Sequence, residues 1–147
     1  MLCNGMTIIL GILIIFILIC IVYRQFRKIK EGMSSNDPIL RRLKQKLVAV
    51  HPKVNDLTFF EDKESYTINK KDVYLCLRDE NNEYYNENML IYVTLHEVAH
   101  AICDEIGHTQ KFHEIFESLL DRAYNMGIYN PSIPIIQDYC QHHNKIE

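Results

Sequence analysis

Three rhythms of apolar and polar positions run along this chain. Residues 6–23 have no polar face: apart from Thr7 every position is apolar or small, a run of 18 residues. That length just crosses a bilayer hydrocarbon core of about 30 Å as a helix, so the pattern predicts a transmembrane anchor. Arg24, Arg27, Lys28 and Lys30 follow the run, where a cleaved signal peptide would carry its charge in front. The positive-inside rule then puts the N-terminus outside and everything after the span in the cytosol, as a single-pass membrane protein. Residues 24–36 read as a basic juxtamembrane linker, ending in small and polar residues that bury no face.

From Asp37 the rhythm becomes helical. Asp37-Pro38 has the form of an N-cap followed by proline at the first helical position, and Ile39, Leu40, Leu43, Leu47 and Val50 recur at helical spacing until His51-Pro52. Short runs rich in β-branched and aromatic residues come next, at 57–60, 66–68 and 73–77. They predict a small three-stranded antiparallel sheet. After a polar loop at 79–88, a second helix is expected from Glu87 to Ile106 with Gly107 as its terminator. A third has Phe112, Ile115, Phe116, Leu119, Leu120 and Ala123 on one stripe and ends at Gly127. The expected fold class is α+β, with one compact domain over residues 37–147 behind the anchor.

Chemistry enters at His96-Glu97-Val98-Ala99-His100. Histidines four apart on a helix point the same way and can share one Zn²⁺, and the intervening Glu97 projects beside them. At about 100° per residue, with His96 at zero, His100 falls near 40°, Val93 near 60° and Glu97 near 100°. Ile91, Leu95, Val98, Ala99, Ile102 and Ile106 cluster on the opposite, core side by the same count. A catalytic zinc takes three protein ligands and leaves a fourth position open. His108, just after Gly107, is the leading third ligand, and Thr109 can cap the helix that follows. His113, Asp104, His142 and His143 are the alternatives. Such a centre, one zinc per chain, makes Glu97 the acid/base for hydrolysis of a peptide bond.

Composition limits the partners. A net charge of -3 over 147 residues provides no global field for a polyanion, so nucleic acid is not indicated. Arg24, Arg27, Lys28, Lys30, Arg41, Arg42, Lys44 and Lys46 offer a place for anionic lipid headgroups near the expected span. The five cysteines are odd in number and contain no CxxC pair, which suggests free thiols in a reducing compartment. Tyr129 and Tyr139 are conceivable donors to a tetrahedral intermediate.

Leu75-Cys76-Leu77-Arg78, His96-Glu97-Val98-Ala99-His100 and Gly107-His108-Thr109-Gln110-Lys111-Phe112 together resemble the WLM metallopeptidases and their SprT-like relatives. The resemblance covers about residues 37–131. It implies His96, His100 and His108 as zinc ligands, Glu97 as the catalytic residue, and a minimal zincin-like domain acting on a protein or peptide substrate. It also implies that the edge strand beside the active-site helix, here 73–77, binds an extended peptide. A non-enzymatic, zinc-stabilised binding module at the membrane is the alternative function.

Overall fold

The computed structural model describes residues 11–24 and 37–140. The chain divides into two units, Met1–Ser34 and Ser35–Glu147, each treated by itself. In the first, residues 11–24 are helical (α1) and carry exposed apolar side chains. Among the described residues no helix is long and apolar enough to cross a membrane. The fourteen helical residues 11–24 rise about 21 Å at 1.5 Å each, short of a core of about 30 Å. This overturns the anchor expected at 6–23 and the single-pass topology derived from it. Residues 6–10, Arg27, Lys28, Lys30 and the rest of the expected linker beyond Arg24 lie outside the described residues.

The second unit opens with α2 (Pro38–Val50). Asp37 caps it, its Oδ1 accepting the Ile39 N–H at 2.7 Å, with Pro38 preset for the first turn. Leu40, Leu43, Leu47 and Val50 turn into the core, each worth about 1.5–3 kcal/mol of apolar burial. His51 is extended at φ -151, as a residue before proline prefers. A 3₁₀ turn, Pro52–Asp56, leads to the sheet. Lys44 and Lys46 are engaged within the domain, Lys44 with the Leu57 carbonyl at 2.6 Å and Lys46 with Glu87 at 2.9 Å.

Strands β1 (Thr58–Glu61), β2 (Tyr66–Ile68) and β3 (Asp72–Leu75) form one sheet in the order β1-β3-β2. The sheet is mixed, which corrects the antiparallel expectation: β2 pairs β3 antiparallel, whereas β1 pairs β3 parallel. The cause is the link 62–65, where the Asp62 N–H donates to the Leu75 carbonyl at 2.9 Å and the chain passes the end of β3. β2 therefore enters on the far side. A second correction follows, because β3, expected at the edge, is central and β2 is the edge strand next to the helix that carries His96, Glu97 and His100. The β2–β3 turn puts Asn69 and Lys70 at φ 53 and 54, an unusual conformation for lysine. Its amine donates to the carbonyls of Cys103 and His100.

Helix α3 (Glu87–Ile102) starts at Asn86, whose side chain accepts the Met89 N–H at 2.9 Å. It stops four residues before the expected Ile106: Cys103 turns extended at ψ 128, and Ile106 is 95% exposed, so it belongs to no core. The Lys70 amine satisfies carbonyls that the end of α3 leaves open. Nor does α3 have the clean two-sided character expected of it, since Met89, Leu90, Thr94 and Ala101 are buried along with the core set. Helix α4 (Gln110–Asn125) is capped by Thr109, whose Oγ1 accepts the Phe112 N–H at 3.3 Å. Gly127, at φ +67, closes it while the Ile128 N–H donates to the Ala123 carbonyl at 2.8 Å.

Residues 128–140 contain no helix or strand and pack back on the domain. Here the structure corrects the cysteine expectation, because Cys76 and Cys140 form a disulfide across a separation of 64 residues. Cys20 and Cys103 are free. Cys103 is fully buried among apolar neighbours, and Cys3 lies outside the described residues.

Candidate metal centre

Residues 96 and 100 stand one turn apart on α3, and the 103–109 loop brings the chain back to them. Gly107, at φ +84, makes the reversal that points His108 at the helix, and capping by Thr109 fixes where α4 begins. His108 Nε2 lies 3.0 Å from His96 Nε2 and 3.2 Å from His100 Nε2. One nitrogen from each ring falls within 4.8 Å of the others. Ligands at about 2.0–2.1 Å around a tetrahedral zinc are separated from one another by roughly 3.3 Å. The three imidazoles therefore fit a metal ion closely. As hydrogen bonds alone they fit poorly, since each neutral ring has one N–H to give.

One aromatic ring supports all three. Phe112, fully buried on α4, lies with its ring centre 4.9 Å from His96, 4.3 Å from His100 and 4.8 Å from His108. Phe116 adds an edge contact to His96 at 5.1 Å. Burial, followed by the neighbouring imidazoles, pushes His96 down to about 4. Burial also lowers His100, helped by His108 and the Lys70 amine. Both rings therefore favour the neutral, ligand-competent form.

Glu97 is buried beside the histidines and faces the same cleft. The Thr67 hydroxyl, on edge strand β2, lies 2.9 Å from Glu97 Oε2 and 3.0 Å from the Glu97 carbonyl. Burial raises the Glu97 carboxyl to about 7, with the Thr67 hydrogen bond pulling the other way. A cation at the histidines opposes that rise as well. Thr67 was not singled out in the sequence, and no spacing rule links a strand residue to a glutamate thirty positions later.

The other candidates are placed elsewhere. Asp104 is exposed and pairs with Lys111 at 2.6 Å. The His113 ring centre is 6.3 Å from that of His108, and His113 is outside the three-histidine cluster. His142 and His143 lie outside the described residues. Tyr129 is buried against Tyr92. The Tyr139 hydroxyl, held up to about 12 chiefly by burial, donates to the Cys76 carbonyl and bonds Ser65 at 3.1 Å. The Tyr139 hydroxyl is thus already engaged, and Tyr129 is not part of the cleft lining. A cleft of about 1370 Å³ runs past the centre, lined by His96, Glu97 and His108 together with the chain before β2, the N-terminal half of α3 and residues 135–140.

No protein-family model matches the chain, and no solved structure is similar to it. Similar curated proteins do exist. An uncharacterized protein of Invertebrate iridescent virus 6 is 51% identical over 83 residues, covering 54% of this chain and 47% of that protein. One of Invertebrate iridescent virus 3 is 48% identical over 87 residues, covering 58% and 55%. One of Acanthamoeba polyphaga mimivirus is 36% identical over 84 residues, covering 52% and 43%. The chain thus spans about half the length of the curated relatives it matches, and the WLM resemblance rests on its motif residues alone.

Proposed function

We propose that this chain is a zinc-dependent peptidase, with His96, His100 and His108 holding one zinc ion and Glu97 acting as general base and then general acid. The observation that carries the reading is the convergence of three imidazole nitrogens within 4.8 Å, beside a buried glutamate with one oxygen already held by Thr67. A bound zinc ion would supply Lewis acidity towards a substrate carbonyl and acidify water at the site. With Oε2 held by Thr67, Glu97 has Oε1 left to accept the proton of the attacking water and return it to the leaving amine. The cleft is larger than the 300–1,000 Å³ typical of small-ligand sites, which suits a length of polypeptide.

A non-enzymatic zinc module needs a closed site with a fourth protein ligand. Of the two residues that could close it, His142 lies outside the described residues and Cys140 is bonded to Cys76, and the cluster among the described residues has three members. The deciding experiment compares the parent and Glu97→Gln for bound zinc and for cleavage of an unfolded protein substrate. Both should bind about one zinc per chain, and the variant should lose cleavage by roughly 10²–10⁴-fold. Equal activity in the two proteins would overturn the proposal.

A further inference from the structure

The cleft has an apolar end that the hydrolytic chemistry does not use. Tyr92 and Val93 lie one turn before His96 on α3, Met89 lies a further turn back, and all three line the cleft. Ile135 and Ile136 line it from the chain after α4. Ile136 is 39% exposed, so it contributes little to the core and presents apolar surface at the cleft.

The segment bearing these isoleucines is fastened at several points. Besides the Cys76–Cys140 bond, the Cys140 N–H donates to the Tyr85 hydroxyl at 3.2 Å, and the Tyr85 and Tyr139 rings meet at 4.8 Å. Ser65 bonds Tyr139 and accepts the Cys76 N–H at 2.9 Å, which closes a small network beneath the strap. These ties make 135–140 a fixed wall of the cleft.

We propose that this apolar end, between α3 and the strap, receives one large apolar side chain of a peptide substrate next to the bond presented to Glu97. The inference rests on the peptidase reading and adds a substrate class to it. One helical turn is about 5.4 Å along the axis, between one and two residues of an extended chain. The pocket wall thus begins one or two substrate residues from the metal centre. Aliphatic and aromatic side chains fill it, whereas a carboxylate set against Val93, Ile135 and Ile136 gives up its hydration.

The test uses Glu97→Gln protein, so that binding is read without turnover. The probes are fluorescein-labelled octapeptides of glycine, serine and alanine with a single central leucine, phenylalanine, aspartate or glycine, followed by fluorescence polarisation. The leucine and phenylalanine peptides should bind about tenfold more tightly than the other two, the gain expected from burying one such side chain. Adding Ile136→Asp should abolish that preference, and Cys140→Ser, which unfastens the strap, should reduce it. Equal affinity for all four peptides, or a preference that survives both substitutions, overturns the pocket. Cleavage by the parent without apolar preference sinks the pocket and leaves the peptidase; apolar-selective binding without cleavage does the reverse.

Discussion

Helices α3 and α4 are each 16 residues long, yet ten residues of α3 are buried against four of α4. α4 is an ordinary surface helix. Its stripe of Phe112, Phe116, Leu119 and Ala123 packs inward, Ile115 and Leu120 are half-buried beside it, and most other positions face water. α3 runs through the middle of the domain, touched by α2, the sheet and α4, and opens to the cleft along Met89, Tyr92, Val93, His96 and Glu97. Where one helix carries two histidines of the cluster and the other supports them, the carrier is held on nearly every side. Rotation of α3 is therefore resisted by the whole core, and the imidazoles keep their aim.

The contrast is most exposed to failure at Phe112, where α4 reaches the three histidines. Phe112→Ala should cost about 3–5 kcal/mol in urea unfolding and weaken zinc binding in a competition titration. Undiminished zinc affinity would show that α3 orients its histidines unaided. Leu95→Ala, in the fully buried middle of α3, should cost about 2–5 kcal/mol.

Removing the Thr67 hydroxyl tests whether the sheet edge contributes to the chemistry. Thr67→Val should lower kcat about tenfold, the worth of a hydrogen bond to a carboxylate, while Thr67→Ser recovers most of it. A fall in both variants alike would assign the loss to packing.

Acidity separates His96 and Glu97, neighbours on α3. In metal-free protein His96 is held at about 4, against an ordinary 6.5. The unfolded chain then binds the extra proton between those values, and stability rises with pH across that window. Glu97 acts oppositely: raised to about 7 from 4.5, it keeps a proton the unfolded chain releases, so stability falls as pH rises from 4.5 to 7. Glu97→Gln removes the second slope. Chelator-treated variant should therefore gain stability from pH 4.5 to 6.5 more steeply than the parent in urea titrations. The smallest effect belongs to the outer face of α4, where Glu117→Ala should change stability by less than about 0.5 kcal/mol. A cost above 1 kcal/mol there would erase the distinction between the helices.

Some of this arrangement was legible in the sequence. His96, Glu97 and His100 share a face because helical spacing is local, and Gly107 and Thr109 announce their turn and cap for the same reason. The membrane span failed as a prediction because, among the described residues, the helix at 11–24 is too short to cross a bilayer. Strand order was hidden, since the apolar run at 73–77 marks a strand and says nothing about which neighbour lies beside it. The Cys76–Cys140 bond spans too much chain for spacing to reveal it. The all-round burial of α3 did leave a signal: Met89, Leu90, Ile91, Val93 and Leu95 leave no polar face in its first half.

The single ring beneath the three histidines makes their positional errors correlated. Three ligands on independent supports would wander separately, and an ion would meet a spread of distorted triangles. Because His96, His100 and His108 all lean on Phe112, a displacement of that ring carries them together and the triangle changes place more readily than shape.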